Sequence, residues 1–343
     1  MLHIVRRLFL VLLLVVLGAQ IAQGSEAAES KNEDNQVNIL EEVQNHYVWS
    51  FAPFGEIALP RIFLNNGRLY FFSSTEEAAE SPDFKLENHE IVPAGGGHIT
   101  MDLSISKHLI FFWLSALITF LVFIPLTRRY KRGIGKETEP RGILHNLFES
   151  VFIFIRDDVA RANIGDKHYK KFVPYLATAF FFITFMNLMG LIPWGTAATA
   201  DVTVTATLAF LTFVLTQWNA SKDHWREVFW FPGVPTWVRF ILMPIEFVGL
   251  FTKPFALAIR LFANMLSGEI LIFSIIGMIF LFGNIFGTAA GYGSSVVWIA
   301  FTVFIFAIKA FVSLLQAYIF VMLSALFIGM AMEEHEHSVE HAG

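Results

Sequence analysis

Two apolar segments near the C-terminus constrain the fold more than any other feature of the chain. Residues 238–286 and 296–332 stay largely apolar throughout. Even the shorter one would form a helix about 55 Å long, whereas the hydrocarbon of a bilayer is ~30 Å thick. Ordinary tilts of about 20° do not accommodate that length, so each segment either breaks into a re-entrant pair or lies strongly aslant. With 55% hydrophobic residues, the chain is predicted to be a polytopic membrane protein.

The residues around these segments predict a hairpin. Pro244 and Pro254 permit kinks in the first segment. Four glycines are predicted to form the turn that separates the two: Gly283, Gly287, Gly291 and Gly293.

The predicted fold class is an all-α polytopic membrane protein with about five membrane helices and a small N-terminal extracytoplasmic extension. Four regions are expected: a signal peptide at 1–24, the extension at 25–105, a membrane domain at 106–332 and a cytoplasmic tail at 333–343. Within the membrane domain, helices are predicted at about 108–127, 172–192, 201–218, 238–286 and 296–332.

The orientation follows from two separate signals. Arg6 and Arg7 precede a short apolar core at residues 8–17, which is typical of a cleaved secretory signal peptide. The alternative is a retained membrane helix, but the core has only about half of the ~20 residues that a span needs. Basic residues directly after residue 127 mark the cytoplasmic side. Both signals predict an extracytoplasmic N-terminus and a cytoplasmic C-terminus.

Little in the remaining soluble parts indicates chemistry. The chain has no cysteine, which excludes disulfides and thiolate metal sites, and no cofactor is expected. The spacing of His46, His89 and His98 matches no metal-ligand pattern. The charged, histidine-containing tail is interpreted as a solvated segment rather than a metal cluster. Residues 142–161 are amphipathic and predict a helix on the cytoplasmic interface, with a partly buried bundle helix as the alternative.

Arg260 and Glu269 lie inside a run that is otherwise apolar enough to sit in lipid. A charge near the bilayer midplane costs roughly 3 kcal/mol, so such residues usually mark ion or substrate pathways. On a helix, Asn264 and Ser267 share the face of Arg260, whereas Glu269 lies on about the opposite face and roughly 13 Å further along. The alternative is that Arg260 snorkels to a headgroup and Glu269 is neutralised by protonation.

Other polar residues accompany this pair. Lys309, Ser313 and Gln316 form one stripe on the last predicted helix. A polar stripe on a membrane helix is expected to face a polar region rather than lipid. Asp201 precedes a helix and is also a candidate N-cap. Glu246 is interpreted, from its position, as a helix-start acid favoured by the dipole.

The stretch RLFANMLSGEIL resembles the signature of subunit a of the rotary F-type ATP synthases. Arginine, leucine, phenylalanine, a small residue, asparagine, glycine and an acid match in register, from Arg260 to Glu269. The resemblance covers residues 108–335 and leaves out the first hundred. It implies that the tilted hairpin curves around a rotating ring of small membrane subunits, the c-ring.

The resemblance also implies roles for the polar residues. Arg260 would separate two half-channels and deprotonate ring carboxylates, with Gln316 as its neighbour and Asn264 helping to orient or hydrate it. Glu269, Lys309 and Asp201 would relay protons on the extracytoplasmic side, and Glu246 would lie near the exit. Ser267 is a further candidate ion-translocation residue, because it lies on the same helix face as Arg260.

Two positions depart from the family pattern. Many members carry a histidine or an acid where this chain has Lys309, and asparagine where it has Thr203. Two interpretations of Lys309 stay open. It either forms an ion pair with Glu269, or loses its proton through desolvation and relays protons itself.

The implied partners are the c-ring, peripheral-stalk b-type subunits, indirectly the F1 sector, and the lipid of the cell inner membrane, with no nucleic acid. The alternative function is a secondary ion-coupled transporter. Such transporters are built from repeated half-folds, and no internal repeat is visible in the sequence. A purely structural scaffold would tolerate the loss of Arg260.

Overall fold

The computed structural model describes residues 47–50, 55–87, 90–96, 99–131, 143–192, 195–230 and 235–333. The predicted signal peptide, the tail beyond Glu333 and the three histidines of the extension lie outside these ranges. The helices are α1 Thr75–Glu80, α2 Lys107–Lys131, α3 Ile143–Phe154, α4 Ala162–Ile164, α5 Tyr169–Met189, α6 Val202–Trp218, α7 Lys222–Phe229, α8 Thr236–Phe286 and α9 Thr288–Met332. The strands are β1 Val48–Ser50, β2 Glu56–Ala58, β3 Arg61–Asn65, β4 Arg68–Phe72, β5 Phe84–Glu87, β6 Glu90–Pro93 and β7 Met101–Asp102.

The extension folds into short antiparallel sheets. Strands pair in the orders β1–β2, β4–β3–β7 and β5–β6. Asn66 and Gly67 join β3 to β4 with φ of 50° and 76°, because a two-residue hairpin turn of this kind needs positive φ at both positions. Phe63 and Phe84 are fully buried at the centre of this part of the chain.

The membrane part consists of helices. Within the ranges that the structure describes, four are long and apolar enough to cross a bilayer: residues 107–128, 169–189, 237–286 and 288–332. Helix α6 reaches that length only together with α7, and the pair is bent by 104°. The predicted fold class, a polytopic all-α membrane protein with about five membrane helices, is confirmed.

The segment predicted to lie on the interface is partly a bundle element. After α3, residues 155–161 form a π-helical segment, and its side chains Ile155, Val159 and Ala160 are buried. This segment packs against α5 and α9, and the short α4 also contacts α9. A Cβ on Gly329 would lie 2.0 Å from the carbonyl oxygen of Asn163, so glycine permits that contact. The bundle alternative therefore holds for residues 155–164, because their apolar side chains meet two long helices.

Helices α8 and α9 form the predicted hairpin. They contain 51 and 45 residues, and are therefore about 76 and 67 Å long. Helix α8 continues through both Pro244 and Pro254. In their most apolar stretches only 11% and 6% of residues are buried within the chain. The hairpin thus presents a long apolar surface to its surroundings.

The glycine turn predicted for this hairpin is wrong in detail. Only Gly287, with φ of 90°, interrupts the helices, and α9 begins at Thr288 rather than at residue 296. Gly283 and Gly291 lie inside the two helices, where a Cβ on Gly291 would be 2.9 Å from the Cα of Gly283. Their physical role is close backbone approach rather than a change of chain direction.

Candidate functional site

Arg260 lies midway along α8 on the outward side of the hairpin. Its side chain is exposed, and so are those of Asn264 and Ser267, as the helical spacing predicts. Apolar side chains next to it on α8, Phe255 and Ile259, are exposed as well. Among the residues that the structure describes, none forms an ion pair with Arg260 within 4.0 Å. A permanent cation on an apolar surface needs a counter-charge from outside the chain.

Asn264 joins the two long helices one turn beyond the arginine. Its Nδ2 donates a hydrogen bond of 2.6 Å to Oε1 of the buried Gln316 on α9. The resemblance implies that Gln316 lies beside Arg260. In the structure the Gln316 side chain is hydrogen-bonded to Asn264, one turn from the arginine. The hydroxyl of Ser267 donates to the carbonyl of Asn264 in its own helix, at 3.3 Å. Asn264 and Gln316 therefore hold the part of α8 that carries the arginine against α9.

The polar stripe on α9 faces the inside of the bundle. Lys309, Ser313 and Gln316 are 6%, 0% and 1% exposed. Asn187 on α5 donates from Nδ2 to the carbonyl oxygen of Ser313 at 2.9 Å, and its Oδ1 accepts from the hydroxyl of Thr199 at 2.6 Å. This buried chain links α5, α9 and the short 3₁₀ turn Ala198–Ala200.

Sequence reasoning missed Asn187 and Thr199. The signal was present, since Asn187 is a single amide in an otherwise apolar helix end and both side chains are fully buried. Buried polar groups in a bilayer must be hydrogen-bonded. Their partners come from distant parts of the chain, which the sequence pattern does not show.

Asn187→Leu is expected to lower the free energy of unfolding in detergent by about 1–3 kcal/mol, because the Thr199 hydroxyl would be left buried without its acceptor. Denaturant unfolding of the purified protein measures this change. Thr178→Val on the same helix is the control, since Thr178 bonds only the carbonyl of Pro174 one turn earlier, and it should cost less than about 0.5 kcal/mol. Equal costs for the two variants would contradict the role assigned to Asn187.

Glu269 points away from the Arg260 face and into the protein. Its Oε1 accepts a hydrogen bond of 3.3 Å from the backbone N–H of Ala197. The aliphatic stem of Lys309 covers the neighbouring Gly268, where a Cβ would lie 3.2 Å from the Cδ and Cε atoms of the lysine. Lys309 is therefore adjacent to Glu269, although the pair is not among the ion pairs within 4.0 Å in the described ranges.

Asp201 begins α6 as its N-cap. Its Oδ1 accepts from the backbone N–H of Thr203 at 2.7 Å, which is the N-cap alternative considered above. The extension reaches this place through Tyr47. Burial raises the pKa of Tyr47, the charges of Asp102 and Asp201 raise it further, and Arg61 opposes them. The extension thus lies close to the helix start that carries Asp201.

A second polar region lies on the other side of Arg260 along α8. Glu246 and Lys253 line a cavity of about 100 Å³ together with Gln217 of α6 and His224 of α7. Leu257, one turn from Arg260, also lines it. Glu246 is ten residues inside α8, which begins at Thr236. The dipole effect falls off within the first turn, so the interpretation of Glu246 as a helix-start acid is wrong.

No group of three potential metal-ligating side chains occurs in the ranges that the structure describes.

The candidate site consists of three parts along α8: the cavity with Glu246, the outward Arg260 with its Asn264–Gln316 bond, and the buried region around Glu269.

Comparisons with known proteins identify the family. Residues 109–329 match the ATP synthase A chain family. The chain is 39% identical over 325 residues to ATP synthase subunit a of Chlorobium phaeobacteroides (strain DSM 266), covering 94% of this chain and 82% of the relative. It is 36% identical over 350 residues to that of Chloroherpeton thalassium, with 96% and 92% covered. For the subunit of Myxococcus xanthus the identity is 41% over 246 residues, with 70% and 77% covered.

The family match begins at the second residue of the predicted resemblance and spans nearly the whole membrane part, including the segment from Arg260 to Glu269. The alignments to the first two relatives cover nearly the whole chain. The chain therefore belongs to the ATP synthase A chain family.

Proposed function

We propose that this chain is the ion-translocating stator subunit of the Fo sector of a rotary ATP synthase and that its ion is the proton. The single observation that carries the proposal is the position of Arg260. It is an exposed cation on an apolar face, with a polar region on either side of it along one helix. Glu246 precedes it by about 21 Å and Glu269 follows it by about 13 Å.

Each polar region corresponds to one half-channel. The region with Glu269, Lys309 and Asp201 opens to the extracytoplasmic side, and the cavity with Glu246 opens to the cytoplasm. The basic residues after the first membrane helix support this orientation. The arginine thus lies between Glu246 on one side and Glu269 with Asp201 on the other.

The ring of small membrane subunits packs on the exposed apolar face of α8 and α9. Each ring subunit brings a carboxylate, which is the counter-charge that Arg260 needs from outside the chain. The fixed cation favours the ionised carboxylate, so the ring acid releases its proton on the exit side. The same cation repels a proton that would cross directly between the half-channels. The bond from Asn264 to Gln316 supports a fixed position for this charge.

Lys309 acts together with Glu269 in the extracytoplasmic half-channel. Its stem lies against Gly268, directly before the acid, and its side chain is buried. A Lys309→Ala variant with unchanged proton conduction would contradict this joint role.

The further partners are peripheral-stalk b-type subunits and, indirectly, the F1 sector, in the inner membrane of a bacterial cell. The names of the relatives support a place in such an assembly. The driving force is about 2.3 kcal/mol per proton per 100 mV, so several protons must pass for each ATP.

The test uses vesicles that contain this chain with or without the ring subunits. A potassium gradient with valinomycin sets the potential, and a pH-sensitive dye inside the vesicles reports proton entry. We expect conduction only when both components are present, because neither half-channel crosses the membrane alone. Conduction by this chain without the ring would overturn the proposal and favour a transporter.

A further inference from the structure

The cavity beside Glu246 lies between four helices. Gln217 comes from α6, His224 and Glu227 from α7, Glu246 and Lys253 from α8, and α9 closes it with apolar side chains. Helix α7 is fixed in place at its start. The N–H of Ser221 donates to the carbonyl of Ala331 at the end of α9, and the Ser221 hydroxyl accepts from the N–H of His224.

Two buried atoms on this cavity have no hydrogen-bond partner among the described residues: Nε2 of His224 and Oε1 of Gln217. Buried polar atoms in native proteins are normally satisfied by protein or water. A cavity of about 100 Å³ is large enough to hold water. The two orphaned atoms therefore indicate that the cavity is hydrated.

Charged groups surround the histidine on two helices. Burial lowers the pKa of His224 below its usual value, and the cation of Lys253 lowers it further. Glu227 and Glu246 act in the opposite direction. The groups that α6 and α9 contribute to the cavity are hydroxyl, amide or apolar. Because the pKa is lowered, the ring is neutral at neutral pH and has a lone pair available.

We propose that His224 is the proton-transfer residue at the inner end of the ion path. Its imidazole accepts a proton from the cavity water next to Glu246 and passes it to the water on the cytoplasmic side. The proton bound to one ring nitrogen is balanced by the proton released to bulk water, so no other reactant is required. Leu257 places the cavity one helical turn from Arg260. The inference rests on the proposed function and adds a residue to it from outside the membrane helices.

The test measures passive proton flux through the assembled membrane sector, after removal of F1, between pH 5 and 8.5. We expect His224→Ala to reduce flux at pH 8 by about 10-fold, less than the roughly 100-fold or more typical of acid–base groups, because cavity water still carries protons. The deficit should shrink towards pH 5, where hydronium is abundant. Imidazole added on the cytoplasmic side should restore the flux, since the vacated ring space can admit it.

Two further variants separate proton transfer from a structural role. His224→Gln retains a polar side chain but cannot titrate, so it should conduct as poorly as His224→Ala. It also replaces the alanine variant in the test if that variant fails to assemble with the c-ring. His168→Ala is the matched control, because His168 is an exposed histidine outside the cavity. It should conduct normally and be insensitive to imidazole.

Arg260→Ala, assayed for ATP-driven pumping in vesicles that retain F1, distinguishes the two levels of proposal. Normal pumping by Arg260→Ala would overturn the proposed function. Loss of pumping there, together with wild-type flux and pH profile in both His224 variants, would overturn only the inference about His224. Normal flux in His224→Gln, with no response of His224→Ala to imidazole, would show that His224 has a structural role. That result would also overturn the inference about His224.

Discussion

Arg260→Ala is expected to abolish coupled proton pumping while the subunits stay assembled. The side chain is exposed and has no ion-pair partner within 4.0 Å among the described residues, so its removal breaks no internal ion pair. A cation 4 Å from a carboxylate contributes about 4 kcal/mol at an effective dielectric constant of 20, which is roughly a thousand-fold in ionisation of that acid. Without it, ring acids would remain protonated and protons would leak between the half-channels.

The measurement is ATP-driven acidification of inverted membrane vesicles, with passive leak recorded in the same preparation and ring retention checked by co-purification. Arg239→Ala is the control. Arg239 also lies on α8 but stacks on Trp230 at 4.7 Å, close to the helix start, and its loss should change pumping by less than about two-fold. Undiminished pumping by Arg260→Ala would mean that the arginine is structural.

Glu269→Gln is expected to reduce passive proton conduction at least about 10-fold, because the glutamine cannot exchange a proton at this position. The substitution preserves the shape of the side chain and the carbonyl oxygen that accepts from the Ala197 N–H. We therefore expect the free energy of unfolding to change by less than about 1 kcal/mol, because this hydrogen bond is retained. A loss of conduction without a loss of stability separates ion transfer from folding.

The control is Glu80→Gln, which neutralises an exposed carboxylate on α1 of the extension and should leave conduction unchanged. Equal conduction in Glu269→Gln and wild type would show that the acid serves only to anchor the loop before α6. A parallel fall in both conduction and stability would leave Glu269 without a separate role in transfer, contrary to the proposal.

The expected membrane architecture depended on local properties of the chain. Apolar length predicted two C-terminal membrane segments too long to stand upright, because a helix in lipid satisfies its backbone hydrogen bonds internally and needs no distant partner. Length did not decide between a re-entrant break and a strong tilt. The helical period likewise predicted that Arg260 and Glu269 lie on opposed faces of one helix. The glycine turn failed because local glycine content does not distinguish a change of direction from close helix packing, which Gly283 and Gly291 provide.

Spacing in the sequence by itself determined that the chain is a helical membrane protein, that Arg260 lies with Asn264 on one face, and that Lys309, Ser313 and Gln316 form a stripe. Only the tertiary structure decided what these faces meet. The Asn264–Gln316 and Asn187–Ser313 bonds, and the cavity that joins His224 to Glu246, connect residues from helices far apart in the chain. Such contacts depend on how helices pack, and packing is set by the summed shapes of many side chains rather than by the period of any one helix.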